Sequence, residues 1–140
     1  MDQAMAPPSQ EPPRKPEQTP EPTILLVEDH FMTRWTAAEY LRQNGFKVLE
    51  AVDVTEALGL AGSGVQIDAL FTDIQLRGEN GNALARWFIR HRPQTPILAT
   101  SANEENDTLP RSGLHRFVRK PYDLELVVPL LRSMLQSHWR

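Results

Sequence analysis

Two kinds of hydrophobic pattern alternate along the chain from Thr23 onward. Short continuous apolar runs are typical of strands covered on both faces, and apolar residues that recur every three or four positions are typical of amphipathic helices. The predicted strands are 24–27, 47–51, the run that holds Leu70 and Phe71, 97–100 and 117–119. The helical stripes are Phe31 to Leu41, Ala57 to Leu60, Leu84 to Phe88 and Leu124 to Leu135.

This alternation of strand and helix predicts an α/β domain with a parallel sheet and helices on both faces. Because crossover connections are right-handed, the sheet should be doubly wound. Turn and cap residues divide the elements, namely Asn44-Gly45, Asp53, Gly62-Ser63-Gly64, Asn80-Gly81-Asn82, Arg92-Pro93 and Asp123. In such sheets, ligands bind beyond the carboxyl ends of the strands.

The segment before the first strand has a different composition. Residues 1–22 hold seven of the twelve prolines and almost no large apolar residue. Such a segment buries too little surface to offset its ordering entropy, so we predict a disordered tail at 1–22 and one domain at 23–140. The stretch Pro12 to Pro16 could bind a partner as polyproline II.

Composition limits the function classes. The formal charge of −3 gives no general attraction to nucleic acid or acidic membranes, and the absence of cysteine excludes disulfides and thiolate chemistry. No apolar run is long enough for a membrane span, and the N-terminus lacks the order of a secretory signal. A soluble cytoplasmic protein is the expectation.

Residues with chemical potential follow four of the five predicted strands. Glu28 and Asp29 follow the first strand, Asp73 the third, Thr100 and Ser101 the fourth, and Lys120 the fifth. The carboxyl ends of parallel strands meet at one edge of the sheet, so these side chains should converge. Each alone is more often a cap or a solvated charge, but their joint placement predicts a functional site.

Clustered carboxylates repel one another, by roughly 4 kcal/mol per pair at 4 Å near a protein surface. A bound cation or retained protons must therefore offset the repulsion. A small set of oxygen ligands suits Mg²⁺. We expect Asp29, Asp73 and the backbone carbonyl of Gln75 as direct ligands, and Glu28 either through water or directly.

With a metal in place, Asp73 is a candidate nucleophile that accepts a phosphoryl group. Transfer passes through a loose transition state with charge on three equatorial oxygens. We expect the metal, the Lys120 ammonium and the Ser101 hydroxyl to contact one oxygen each. The protein then contributes position and charge rather than acid–base chemistry.

These residues together resemble the receiver domain of response regulators in two-component signalling, over Thr23 to about Gln136. The marks are Leu26-Val27-Glu28-Asp29, Phe71-Thr72-Asp73-Ile74-Gln75-Leu76, Thr100-Ser101-Ala102 and Lys120-Pro121-Tyr122. The resemblance implies the flavodoxin-like receiver fold, with five parallel strands in the order 2-1-3-4-5 and five helices.

The resemblance also implies the role of each site residue. Asp73 would be the phospho-acceptor, and Glu28 with Asp29 the Mg²⁺ pair. Ser101 would be the hydroxyl that moves toward the phosphoryl group, and Phe117 the aromatic residue that turns inward with it. Lys120 would bind the phosphoryl group and precede a cis peptide bond to Pro121.

Three features depart from the family pattern. Arg77 and Asn80 stand where receivers usually have a proline and a second acid, so the loop should be reshaped, and the charge of Arg77 could alter the phosphate lifetime. The expected fourth helix, 103–111, has Leu109 as its only large apolar residue and is interrupted by Pro110, which predicts a short or partly unwound element. Pro129 should kink the last helix.

The expected partners are a histidine kinase or phosphotransfer protein and an unidentified downstream protein, with a homodimer as one option. Only twenty residues follow Lys120, so we expect a stand-alone receiver that does not bind DNA. It would signal by protein contact or act as a phosphate relay or sink, and it would not be an enzyme for external substrates.

Three alternatives remain to be separated by experiment. The first is a pseudo-receiver that binds partners without phosphorylation. The second is a Mg²⁺-dependent phosphatase with an aspartate nucleophile. Such enzymes share a second aspartate two residues after the nucleophile, and this chain has Gln75 at that position. The third is a flavin or nucleotide carrier, which the acidic residues after the first strand disfavour.

Overall fold

The computed structural model describes residues 20–76, 79–109 and 114–136, and only the backbone of residues 79–81. Its strands are β1 Thr23–Val27, β2 Lys47–Ala51, β3 Ala69–Asp73, β4 Gln75–Leu76, β5 Glu79–Asn80, β6 Ile97–Ser101 and β7 His115–Arg119. Its helices are α1 Phe31–Gln43, α2 Val54–Ala61, α3 Gly81–His91 and α4 Leu124–Gln136. Strand and helix therefore alternate as the hydrophobic pattern predicts.

Five parallel strands form the main sheet in the order β2-β1-β3-β6-β7. Counted among the strands of this sheet alone, that is the expected order 2-1-3-4-5. Strands β4 and β5 form a separate antiparallel pair after β3. The register of the main sheet pairs Asp73 with Thr100 and Ser101 with Arg119, so the residues at the ends of β3, β6 and β7 lie side by side.

The sheet is packed on both faces, because every residue of β3 and all but the first residue of β1 are buried. One face is covered by α1 and α4 and the other by α2 and α3. The first core includes Ile24, Leu41, Phe46, Phe71, Leu98 and Leu131. The second includes Leu25, Leu70, Leu84, Phe88, Ile97 and Leu109. These two layers fix the strand ends that carry the site.

The local signals act as their chemistry predicts. Asp53 caps α2 by accepting a hydrogen bond from the Glu56 amide, and Asp123 accepts one from the amide of Glu125 at the start of α4. Gly45 follows α1 with a φ of 91°, in the region that favours glycine. The Lys120–Pro121 peptide bond is cis, as the resemblance implied.

The prediction of five helices is wrong for the part of the chain that the structure describes, where four α-helices are present. The short or partly unwound element predicted at 103–111 is confirmed for its described part, where a 3₁₀ turn covers Glu104–Asn106. Asn103 accepts a hydrogen bond from the Glu105 amide, and Asp107 accepts one from the Leu109 amide. Such side-chain bonds to nearby amides compete with helix formation, and Leu109 is instead buried in the second core.

Other expectations are corrected or fall outside the described residues. The turn predicted at Asn80–Asn82 is wrong, because β5 ends at Asn80 and α3 begins at Gly81. Pro129 lies inside α4, which continues to Gln136, and the kink stays a prediction. Arg77, Pro110 and residues 1–19 are outside the described part, and so are the predictions made for them. Among the described helices, none has the length and apolar character needed to cross a membrane.

Candidate functional site

The site lies at the carboxyl ends of β1 and β3. Glu28, Asp29 and Asp73 each place one carboxylate oxygen so that the three atoms lie within 4.8 Å of one another. Glu28 and Asp73 are buried, with 2% and 4% of their surface exposed, and Asp29 is half-buried. The strand tips hold these groups because the preceding residues of β1 and β3 are core residues.

Lys120 joins the acidic cluster from the end of β7. Its Nζ lies 2.7 Å from Oε1 of Glu28 and 2.7 Å from Oδ2 of Asp73. The backbone of Lys120 continues the pairing of β6 with β7, since its N–H donates to the Ser101 carbonyl at 2.9 Å. The sheet register therefore brings the cation to the cluster.

The second oxygens of the two buried carboxylates also accept hydrogen bonds. Oδ1 of Asp73 accepts one from the Gln75 amide at 2.7 Å, and Oε2 of Glu28 accepts one from the His30 amide at 3.0 Å. Arg34 donates to the carbonyl of Glu28 at 3.0 Å. The bonds from the two amides orient the carboxylates, and the Arg34 bond holds the backbone of Glu28. The cluster still has more acidic than basic groups.

Burial and charge shift the pKa of both partners in the Glu28–Lys120 pair. Burial raises the pKa of Glu28, and the charge of Asp73 adds to this, against the hydrogen bonds from Lys120 and His30 that lower it. Burial lowers the pKa of Lys120, but its hydrogen bonds to Asp73 and Glu28 outweigh this, so the pKa is raised overall. Lys120 therefore stays protonated. It lies next to carboxylates whose negative charge is disfavoured by burial and by their mutual repulsion.

Tyr122 lies near the cluster and packs its ring against Phe71, with the two ring centroids 5.4 Å apart. Burial and the charge of Glu28 raise the pKa of Tyr122 to about 12. Its phenol therefore stays neutral at physiological pH.

Ser101 is fully buried at the end of β6, and its hydroxyl contacts three groups. It donates to Oε1 of Gln75 at 3.1 Å, and it accepts from the amide of Asn103 at 3.2 Å and from the side chain of Asn106 at 2.9 Å. The sequence placed Ser101 at this edge of the sheet but did not indicate the contacts to the Gln75 side chain or to Asn106. The contact to Asn106 depends on how the 3₁₀ turn folds back toward the end of β6.

Phe117 is half-buried in β7, where its register partner is Ala99. It lies two residues before Arg119, the partner of Ser101. The backbone amide of Gln75 donates to the Asp73 carboxylate, and the backbone carbonyl of Gln75 stays a predicted metal ligand. Thus the structure brings together Glu28, Asp29, Asp73 and Lys120, with Ser101 next to them through Gln75.

Comparison with known proteins identifies the family. The model of the response regulator receiver domain matches residues 24–132. The chain belongs to this family. It is a receiver domain of the kind found in two-component signalling, and the pseudo-receiver alternative gains no support.

The curated relatives of this receiver domain differ in their overall architecture. The transcriptional regulatory protein CpxR of Escherichia coli K12 is 32% identical over 120 residues, which are 83% of this chain and 50% of that protein. A cyclic di-GMP phosphodiesterase of Thermotoga maritima is 28% identical over 75% of this chain and 28% of that protein. The chain therefore spans half or less of the length of these relatives.

Solved structures agree on the fold. The receiver domain of the hybrid histidine kinase CckA is 31% identical, with a TM-score of 0.70, over 81% of this chain and 99% of that one. A response regulator receiver protein from Sinorhizobium medicae WSM419 is 23% identical, with a TM-score of 0.75, over 84% of this chain and 97% of that one.

Proposed function

We propose that Asp73 of this receiver domain accepts a phosphoryl group from a phosphohistidine of a histidine kinase or phosphotransfer protein. One observation carries the proposal: the Asp73 carboxylate lies within 4.8 Å of two other carboxylates and 2.7 Å from the Lys120 ammonium. A single acid at a strand tip would need no such surroundings. A nucleophile that must receive an anionic group needs both a cation and a metal site.

The donor set fits Mg²⁺. Three carboxylates offer hard oxygen ligands, and the raised pKa of Glu28 reflects burial next to another acid, a cost that a bound cation offsets. Glu28, Asp29 and Asp73 would hold the ion, with the Gln75 carbonyl as a further ligand. When bound, Mg²⁺ neutralises charge on the transferring phosphoryl group.

The chemistry needs little beyond position and charge. A carboxylate oxygen of Asp73 forms the new O–P bond while the N–P bond of the phosphohistidine breaks and its electron pair returns to the imidazole nitrogen. Lys120 remains next to Asp73 and stabilises the negative charge of the phosphoryl oxygens. The Ser101 hydroxyl, on the neighbouring strand, donates to one of these oxygens once the group is in place.

An exposed apolar surface next to the site provides the contact for the donor protein. Phe31, Met32 and Trp35 on α1 are 59%, 54% and 48% exposed. Met32 also lines a groove of about 540 Å³, together with Thr33, Thr36, Ala102, Lys120, Pro121, Tyr122 and Leu124. Because Lys120 lines both the groove and the site, a protein that packs here can present its phosphohistidine to Asp73.

Downstream signalling is proposed to use contact with another protein, or onward transfer of the phosphoryl group, rather than DNA binding or turnover of an external substrate. The predicted homodimer and cytoplasmic location stay predictions. The phosphatase alternative predicts turnover of an external phosphate ester. The carrier alternative predicts that the purified protein is coloured or contains a nucleotide.

Incubation with Mg²⁺ and acetyl phosphate, followed by intact mass measurement, tests the proposal. We expect the wild type to gain one phosphoryl group and Asp73→Asn to gain none. Equal, unchanged masses for both proteins would favour the pseudo-receiver.

A further inference from the structure

The Ser101 hydroxyl has no free hydrogen-bonding capacity. A hydroxyl offers one proton to donate and two lone pairs that accept. The proton is donated to Gln75, and the lone pairs accept from the Asn103 amide and the Asn106 side chain. Ser101 is fully buried, so water does not compete freely for these positions.

A phosphoryl oxygen can only accept a hydrogen bond. For Ser101 to donate to a phosphoryl group on Asp73, the bond to Gln75 must therefore break. Rotation of the Ser101 side chain toward Asp73 also moves its Oγ away from the Asn106 side chain, which donates to Oγ in its present position. The bond from the Asn103 amide is local, between residues two apart, and follows the serine more easily.

Asn106 is held in place from its other side. The backbone carbonyl of Asn106 accepts a hydrogen bond at 2.6 Å from the side chain of Asn82, a buried residue in the first turn of α3. The backbone N–H of Asn106 donates to the backbone carbonyl of Asn103 at 3.0 Å. Asn106 is half-buried and is the last residue of the 3₁₀ turn Glu104–Asn106. Its position relative to Ser101 is therefore fixed by the fold.

We propose that Gln75 and Asn106 form a latch that holds the Ser101 hydroxyl in the unphosphorylated position and sets the free energy of switching. The inference rests on the proposed function, since it assumes that Ser101 binds the phosphoryl group. Gln75 and Asn106 are positioning residues, because they act through Ser101. Gln75 is exposed, so water replaces part of its contribution, and Asn106 is the stronger half of the latch.

The latch makes a thermodynamic prediction. Its hydrogen bonds exist only in the unphosphorylated state, so their loss destabilises that state and leaves the phosphorylated state unchanged. Binding of a phosphoryl mimic must therefore become tighter. A side chain with a merely structural role destabilises both states equally and leaves the affinity for the mimic unchanged.

The test uses beryllofluoride with Mg²⁺ as the probe and ¹⁹F NMR titration of the full chain. A hydrogen bond contributes about 0.5 to 1.5 kcal/mol, so we expect Asn106→Leu to tighten binding about threefold to tenfold and Gln75→Met about twofold to threefold. Gln75→Met keeps the backbone carbonyl that is a predicted metal ligand.

Ser101→Ala supplies the control, through a double-mutant cycle. Without the hydroxyl there is nothing to hold, so Gln75→Met and Asn106→Leu should change the affinity by less than about twofold in the Ser101→Ala background. Unchanged affinity in the single variants, or equal effects in both backgrounds, would overturn the latch. If wild type fails to bind beryllofluoride and gains no mass with acetyl phosphate, the proposed function fails and the latch with it.

Discussion

The Lys120 ammonium contacts two buried acids that are 45 residues apart in sequence, with its Nζ 2.7 Å from both Oδ2 of Asp73 and Oε1 of Glu28. Three parallel strands bring the residues together, as β1, β3 and β7 each end at this edge of the sheet. The contact places a fixed cation beside the candidate nucleophile. It also stabilises an acidic cluster that would otherwise repel itself.

Removal of the Lys120 charge should destabilise the metal-free protein. Lys120→Met leaves Glu28 and Asp73 buried without their cation, and we expect a loss of roughly 2 kcal/mol in the free energy of unfolding. Urea unfolding in EDTA measures this loss. Arg116→Met, at an exposed position of β7, is the matched control and should change stability by less than about 0.5 kcal/mol. Equal losses in the two variants would contradict the importance of the ion pairs.

Neutralisation of Glu28 should have the opposite effect at neutral pH in EDTA. Because burial raises the pKa of Glu28 above its ordinary value of 4.5, the folded state favours the protonated side chain. The folding penalty is therefore absent below pH 4.5 and grows as the pH rises through the folded pKa. We expect Glu28→Gln to gain stability relative to wild type between pH 4 and pH 7 in urea unfolding. A pH-independent difference would show that the charge of Glu28 is not the cause.

Magnesium should stabilise the protein through the same carboxylates. At a hundredfold excess over its Kd, a ligand that binds only the folded state adds about 2.7 kcal/mol to the free energy of unfolding. We expect Asp29→Asn to lose most of this increment in thermal or urea unfolding with added Mg²⁺. Asp68→Asn is the control, because Asp68 precedes β3 and binds the Thr23 amide at the other end of the strands. If Asp68→Asn lost as much of the Mg²⁺ effect, the ion would not bind at the predicted site.

The apolar surface on α1 should matter for a protein donor and not for a small one. Truncation of an interface aromatic residue costs about 1 to 2 kcal/mol, so Trp35→Ser should slow phosphotransfer from a phosphohistidine protein roughly fivefold to thirtyfold. Phosphorylation by acetyl phosphate should stay within about twofold of wild type, since Trp35 is exposed and outside the acidic cluster. Leu126→Ser, at a residue of α4 that is 67% exposed, is the control. Equal slowing with both donors would place the defect in the site rather than in docking.

The strands and the edge that carries the site could be predicted because they depend on local patterns. Continuous apolar runs such as Ile24–Val27 specify buried strands, and parallel pairing then brings Asp73, Ser101 and Lys120 to one edge. Glu28 and Asp29 follow directly from the end of β1. No long-range information beyond the order of the elements was needed.

The region around Ser101 could not be predicted in the same way. The sparse apolar residues and Pro110 predict a short element at 103–111, but not that Asn103 and Asp107 bond to nearby amides or that Leu109 enters the core from a non-helical backbone. The contacts of Ser101 with Gln75 and Asn106 join polar side chains from different elements, and hydrophobic periodicity carries no information about them. The pairing of Lys120 with Glu28 was missed for the same reason, since charge alone does not select between two neighbouring acids.

Chemical trapping of the acyl phosphate tests the central claim most directly. Borohydride reduces an aspartyl phosphate to homoserine, which peptide mass spectrometry locates in the sequence. After treatment with acetyl phosphate and Mg²⁺, we predict homoserine at position 73, and none in EDTA or in Asp73→Asn. Homoserine at another aspartate, or its absence from position 73 while Mg²⁺ is bound, would contradict the assignment of Asp73 as the phospho-acceptor.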